Sequence, residues 1–430
     1  MEKYNEYKDS GIEWLGDIPE DWEVKRVKDI LSVFVPQRDK PILGDDSFGF
    51  PWVTTEYLAG HILGLNDFKF YVSKSEISNK KIRLVPAYSV LASCVGEFSM
   101  TAINTKPIVI NQQIQAFTGF SKLNVFYFNY CIQSSIFNGY FNSVASETTL
   151  KYLNKEKFLW TTVIFPPLKE QTQIANYLDA KTTAIDKKVN LLQQKIKHYN
   201  AYRKTLINET VTKGLKNGNS NWVSYRLKDI GYLYSGLSGK SGNDFNQDDN
   251  PNNKGFIPFT NIANNTYLDQ NHLGKVVIEE KEKQNQVKKN DIFFLMSSEG
   301  YEDIGKSAVL KEDIKETYLN SFCKGFRITK NNCEASFINY LLFSDSYRQK
   351  MLVEGKGFTR INLKMEKVNN FSIAIPSTKK EQQQIADYLD AKTNTIDKIV
   401  NNIETQITTL KELRKTLINE VVTGKVKVSA

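Results

Sequence analysis

Four cysteines are present, Cys94, Cys131, Cys323 and Cys333, and no two stand in a CxxC or other paired spacing. That excludes a disulfide framework and a zinc ribbon, and leaves scattered reduced thiols as the expectation. Histidine is scarcer: His61, His198 and His272 lie far apart in sequence, so no metal or catalytic role is expected of them. No apolar run approaches the roughly 18 residues that a membrane span needs. The amino terminus, MEKYNEYKDSG, is polar and charged, unlike a secretory signal. A cytoplasmic chain without membrane association is therefore expected. Its 25 Phe and 21 Tyr argue against disorder. At 430 residues it can hold two or three cores.

The net charge of +9 permits a nucleic-acid partner without requiring one. Residues 1–168 sum to −1 and 217–378 to +2, while 169–216 carry +6 and 379–427 carry +2. Any DNA-facing surface outside the last two segments must be a local patch.

What the chain does have is one segment written twice. Residues 170–212 and 381–423 share 26 identities in 43 ungapped positions at a constant offset of 211. Both close on RKTLINE, Arg203 to Glu209 and Arg414 to Glu420. In the first copy Ile185, Val189, Leu192, Ile196, Tyr199, Arg203 and Leu206 follow alternating steps of 4 and 3. Ile396, Val400, Ile403, Ile407, Leu410, Arg414, Leu417 and Val421 keep that rhythm in the second. This is a coiled-coil seam on a long helix. Pro166-Pro167 precede the first helix, Thr378 with Glu381 forms a capping-box pattern for the second, and Gly214 and Gly424 sit where helices stop. Two readings of the seam arginines are open: a stem along the seam with its guanidinium on solvent or a carboxylate, or a polar residue that fixes register.

Two like helices in one chain can pair antiparallel through a local twofold. Shared positions taken as exposed, Gln171/Gln382 and Asn208/Asn419, together with Glu170/Glu381, suggest that one kind of outside partner docks twice.

The stretches before each helix share a plan and little else. Trp22 to Ile30 lines up with Trp222 to Ile230, and Phe50 to Thr55 with Ile257 to Asn261. Val90 to Cys94 and Ile292 to Met296 read as buried strands. Each stretch then has a short helical segment, Thr149 to Leu153 or Thr359 to Leu363, and a strand ending at proline. The expected architecture is α+β, with two globular heads of one fold, each followed by a long helix. Head one is residues 1–168 and its helix 169–213; a polar linker covers 214–221. Head two is 222–378, its helix 379–423, and a tail 424–430 ends the chain.

Gly11-Ile12-Glu13-Trp14-Leu15-Gly16-Asp17-Ile18-Pro19 with Trp22, the run Pro166-Pro167-Leu168-Lys169-Glu170-Gln171 and the twofold layout resemble the DNA-specificity subunit of type I restriction–modification systems. The second run, Pro376-Ser377-Thr378-Lys379-Lys380-Glu381-Gln382, departs by lacking the second proline and the leucine. The resemblance covers essentially the whole chain. It implies two target recognition domains, each reading one half of a split sequence in double-stranded DNA, with the helices setting the gap. It further implies two methyltransferase subunits docked on the helices and restriction (endonuclease/translocase) subunits beyond them. S-adenosylmethionine, ATP and Mg would then belong to partners, with no cofactor or metal bound by this chain.

The residues agree that chemistry is absent. An adenine methyltransferase needs an Asn/Asp-Pro-Pro-aromatic loop, and Phe165-Pro166-Pro167-Leu168 has neither flank. Gly236-Leu237-Ser238-Gly239-Lys240-Ser241 lacks the first glycine of a phosphate loop, whose place Tyr234 holds. Pro19-Glu20 and Glu23-Val24-Lys25 are too close together to bracket a nuclease metal. Candidate DNA contacts are Lys80, Lys81 and Arg83 in head one, with Lys288, Lys289, Arg348, Lys350, Lys356, Thr359, Arg360 and Lys364 in head two. The segment Gly355 to Arg360 is flexible, basic and aromatic, as a groove-contacting loop should be; a solvated surface is the competing reading. Two other functions stay in view, a scaffold with protein-binding heads and a stand-alone DNA-modifying enzyme.

Overall fold

The computed structural model describes residues 2–45, 48–58, 61–64, 68–147, 149–215, 221–245, 247, 249–357 and 359–428. The interior of the expected linker, 216–220, lies outside them. The chain divides into two compact units, residues 1–192 with 404–430 and residues 193–403. Among the described residues no helix is long and apolar enough to cross a membrane.

Two helices of 46 and 44 residues dominate, Leu168–Lys213 and Lys379–Val422. Each starts and stops for local reasons. The carbonyl of Pro167 accepts from the amides of Glu170 and Gln171 at 2.8 and 3.0 Å. Thr378 Oγ1 accepts from the Glu381 amide at 3.3 Å, capping the second helix. Gly214 and Gly424 terminate the helices with φ of 78° and 72°, left-handed values that glycine reaches without a Cβ penalty.

The seam is where the heptads place it. From Thr183 to Thr205 the residues that lose much of their surface are Ile185, Val189, Leu192, Ile196, Tyr199 and Arg203. In the second helix Ile396, Ile403, Ile407, Leu417 and Val421 are buried. The two helices pack antiparallel. In the first unit Arg414 Nε lies 3.1 Å from Asp186 Oδ1. In the second, Arg203 Nη1 lies 2.5 Å from Asp397 Oδ1. Asp186 and Asp397 are repeat counterparts, as are Arg203 and Arg414, so the contact is reciprocal as a twofold demands. The seam arginines thus lay their stems along the interface and end on carboxylates. Those carboxylates are about half exposed, so each pair is worth about 0–1 kcal/mol. Apolar burial in the seam carries the association.

The heads have one topology. Head one builds an antiparallel sheet in the order Ser32–Phe34, Ile114–Thr118, Val90–Ser93, Thr101–Ile103. Head two repeats it with Gly231–Ser235, Cys323–Ile328, Ile292–Leu295, Ser307–Val309. The runs Val90–Ser93 and Ile292–Leu295 are buried at every residue, which is why they carry no polar alternation. A second sheet pairs Phe50–Val53 in parallel with Val109–Ile110, and Asn253–Ile257 in parallel with Thr317–Leu319. A two-stranded ribbon brings an early strand of each head back to its last: Glu23–Arg26 with Thr162–Phe165, and Trp222–Arg226 with Ser372–Pro376. A helix pair covers each core, Val125–Gln133 with Ser135–Val144, and Ala335–Phe343 with Asp345–Glu354.

Residues 424–428 of the tail are tied down. The Lys427 amide donates to the Glu2 carbonyl at 2.9 Å, and Val426 and Val428 pack on the first core. A Cβ on Gly424 would lie 2.4 Å from Pro19 Cδ and 3.1 Å from Trp22. Gly424→Ala therefore combines backbone strain with a clash and is expected to cost about 1–3 kcal/mol. The check is the midpoint of urea unfolding.

Candidate nucleic-acid interface and its helical cradle

Each core is completed by both long helices. In the first unit, Ile174, Ala175 and Leu178 from the start of the first helix join Leu417, Ile418, Val421 and Val422 from the end of the second. In the second unit, Ile207 and Val211 from the end of the first helix join Ile385, Ala386 and Leu389 from the start of the second.

Polar residues kept in both copies fasten these surfaces. Gln171, expected to be exposed, is fully buried. It accepts from the Asn124 amide at 2.7 Å and donates to the Pro166 carbonyl at 2.8 Å. Gln382, also fully buried, accepts from the Glu334 amide at 2.8 Å and donates to the carbonyls of Asn332 and Pro376. Asn208 accepts from the Asp345 amide at 2.7 Å and donates to its carboxylate at 2.8 Å. Asn419 accepts from the Ile136 amide at 3.3 Å and donates to Ser135 Oγ. Glu170 accepts from Tyr4 Oη at 2.5 Å and from Trp22 Nε1 at 3.0 Å. These positions were expected to meet an outside partner. The structure corrects that exposure for Gln171 and Gln382, which are buried, while Glu170, Asn208 and Asn419 are half-buried and bond the heads. Glu381 is half-buried at the capped start of the second helix.

A second repeated node is Asp179/Asp390. Tyr130 Oη donates to Asp179 Oδ1 at 2.7 Å, and Tyr340 Oη to Asp390 Oδ1 at 2.8 Å. The heads then diverge. In head two Tyr267 Oη adds 2.6 Å to Asp390, and Lys311 Nζ lies 2.7 Å from its other oxygen. In head one His61, one position earlier in the matching loop than Tyr267, meets the aspartate instead. Its ring stacks on Tyr130 at 4.4 Å, Nε2 lies 3.1 Å from Asp179 Oδ1, and Nδ1 is 2.9 Å from Asn129 Nδ2. Burial pulls the imidazole below its usual value of 6.5, opposed by Asp179 and reinforced by Arg414. Sequence reading missed this histidine, since its partners lie 68 and 118 positions away.

The expected DNA contacts fare unequally. Arg348 is half-buried and clamps a loop, donating to the carbonyls of Ile304 at 2.5 Å and Glu302 at 2.8 Å. Burial lowers its pKa. Two of its five N–H donors are therefore engaged inside head two, which the solvated reading of this basic series did not anticipate. Lys80 pairs with Glu76 at 2.9 Å. Lys81 stands in a left-handed conformation with φ of 50°. Arg83 is exposed, lies over the Phe34 ring at 5.0 Å and donates to the Val35 carbonyl at 2.9 Å. Lys288 and Lys289 are exposed on the turn before Asp291, and Lys350 is exposed beside Tyr347. Lys356, Thr359, Arg360 and Lys364 are exposed; Phe358 between them lies outside the described residues. Lys356 and Asn362 exchange both backbone hydrogen bonds, making the segment a short hairpin, and Arg360 stacks on Phe322 at 4.7 Å.

Lys240 of the glycine-rich segment is nearly buried and bonds Glu282 at 2.7 Å. The buried Asp291 is saturated by Tyr234 at 2.6 Å and Arg327 at 2.8 and 2.6 Å, a structural knot. Among the described residues no cluster of His, Cys, Asp and Glu can hold a metal.

Gln171→Ala and Gln382→Ala each remove a buried carboxamide and the acceptor of a backbone amide, half-buried at Asn124 and buried at Glu334, so each is expected to cost about 1–3 kcal/mol by denaturant unfolding. His61 generates a pH dependence. A histidine whose folded pKa is depressed binds its proton more readily when unfolded. Its contribution is therefore intact above about 6.5, the unfolded value, and is lost as pH falls from there through the lower folded value. Thermal midpoints should drop between pH 7.5 and 5.5, and the drop should shrink in His61→Gln but persist in Tyr267→Phe.

Comparison with known proteins follows this geometry. A family model described as type I restriction modification DNA specificity domain matches residues 19–198 and again 219–409. The MjaIX specificity subunit of a type I restriction enzyme from Methanocaldococcus jannaschii is 24% identical over 451 residues, covering 98% of this chain and 97% of that protein. The HsdS subunit from Thermoanaerobacter tengcongensis has the same fold at a TM-score of 0.57 and 13% identity, covering 95% of this chain and 98% of that one. A chain from a solved structure of type I R-M complex assembly and conformational transition gives 0.75 at 12% identity, covering 95% and 99%. Because the family model spans both heads and most of both long helices, the chain belongs to the type I restriction–modification DNA specificity family.

Proposed function

We propose that this chain is the non-catalytic subunit that selects DNA for a type I restriction–modification complex. Each head reads one part of an asymmetric, two-part target in double-stranded DNA. The observation that carries this reading is that two heads of one topology and unlike loops are mounted on one reciprocal helix pair. A homodimer presents identical readers and matches a palindrome. Unlike readers on a symmetric mount suit a non-palindromic site.

Partners supply the chemistry: two methyltransferase subunits, with restriction subunits beyond them, bringing S-adenosylmethionine, ATP and Mg. The burial of the repeated residues supports one docking surface for them on each helix. With Gln171, Asn208 and their counterparts spent on the heads, the repeated residues left at the surface near each helix start are Gln173, Tyr177, Ala180 and Lys181, and Gln384, Tyr388, Ala391 and Lys392. Their spacing of 4, 3 and 1 puts each set on one helix face. Lys181 lies 5.5 Å over Tyr177 and Lys392 5.7 Å over Tyr388. A half-buried aromatic with a cation across it is a fitting anchor for a partner helix.

The decisive experiment maps methylated adenines genome-wide in cells with and without this chain. Exchanging residues 1–168 for another head should alter one half of the motif and spare the other; change in both halves would refute independent heads. Inserting four residues into one long helix adds about 6 Å at about 1.5 Å per residue. The gap between half-sites should change while the half-sites persist. Tyr177→Ala and Tyr388→Ala should each weaken one methyltransferase copy, reducing subunit stoichiometry by native mass spectrometry from two to one.

A further inference from the structure

Head one holds a cavity of about 380 Å³ that the helical cradle does not use. That volume falls within the roughly 300–1,000 Å³ of small-ligand pockets. Its floor is apolar, from Trp52, Ile82 and Val109, with Phe34 at one side. Four carboxamides line it, Gln37, Asn111, Gln112 and Gln113; Arg83 and Lys40 bring positive charge and Asp39 one carboxylate. Gln37 Nε2 donates to the Lys81 carbonyl at 3.1 Å and Gln112 Nε2 to that of Arg38, which orients these amides.

Head two covers the same floor with its own chain. Phe256 pairs with Tyr318 there as Trp52 pairs with Val109 in head one. Leu237 packs on Phe256, Tyr318 and Val276, is 4% exposed, and is pinned by its amide to the Leu319 carbonyl at 2.8 Å. In head one the loop after the matching strand brings Pro36 and Gln37 instead, and the space stays open. That loop also carries Phe48, 88% exposed, and Ile42, 70% exposed.

We propose that this cavity receives one nucleobase extruded from the head-one half of the target DNA. The inference rests on the DNA-reading function above and deepens it. A planar base suits a floor with an indole and a flanking phenyl ring, and carboxamides recognise base edges, adenine N6 and N7 above all. Arg83, stacked on Phe34 at the rim, is placed for the adjoining phosphate. Phe48 is the kind of apolar side chain that wedges into a stack vacated by a base. The basic run Lys80–Arg83, singled out from sequence alone, thereby falls beside the cavity.

The test uses the full-length chain and duplexes of the mapped target, each with one abasic nucleotide in the half-site that residues 1–168 specify. Gln37→Leu copies the plug of head two, and Thr54→Phe fills the cavity from another side. At one position the abasic duplex should bind wild type at least tenfold more weakly than intact DNA. The plugged variants should bind intact DNA about tenfold more weakly and lose nothing further at that position, while other positions stay additive. Gln113→Ala, on the exposed rim, should flatten base preference there alone. Additive losses everywhere, an unaltered affinity in plugged variants that melt like wild type, or unchanged preferences in Gln113→Ala would each overturn the proposal. Loss of all sequence enrichment by wild type would instead overturn the DNA reading itself.

Discussion

The structure depends on one constraint: neither head has a complete core of its own. Leu417 to Val422 finish the first core and Ile207 with Val211 finish the second, so each head needs the end of one long helix as well as the start of the other. Antiparallel pairing is the arrangement that gives both heads this support. It also explains the duplication, since Gln171/Gln382, Asp179/Asp390 and Asn208/Asn419 perform the same fastening at equivalent sites. Identity was retained where a head is gripped, while the middle of each helix drifted within its seam.

Much of this was legible in the chain. Heptad spacing located the seam residue by residue, because a helix pair leaves a periodic trace that survives substitution. Glycine marked both helix ends, and the apolar runs Val90–Ser93 and Ile292–Leu295 marked the buried strands. Less legible was the fate of polar residues. A repeated Gln or Asn on an amphipathic helix reads as surface, yet Gln171 and Gln382 are buried because they satisfy backbone amides on another element. Such pairing is long-range and has no local signature. The half-burial of Arg348 was hidden for the same reason: a basic series on a helix looks solvated until a loop meets one of its members. His61 was invisible for lack of neighbours in sequence, and the cavity beside Arg83 emerges where residues from four segments meet.

The comparison between heads separates scaffold from reader. Sheet order, the parallel pair, the closing ribbon and the Tyr–Asp contact recur. What differs is the loops after the first strand of each main sheet and the group that completes the aspartate node, His61 with Asp179 or Tyr267 with Asp390. A fixed frame tolerates such variation because its energy lies in buried strands and in the helix contacts. New specificity can then arise by loop exchange without disturbing assembly.

The way the first core closes bears on how the chain emerges from the ribosome. Residues 1–192 are synthesised long before Leu417, Ile418, Val421 and Val422, which seal them. At about 5–20 residues per second, the wait is on the order of 10–50 s. During that interval the surface around Tyr127, Ser135 and Ile136 stands uncovered where the last-made helical turns, with Asn419 and Val422, will settle. Translation speed and chaperone occupancy over this window thus become determinants of yield.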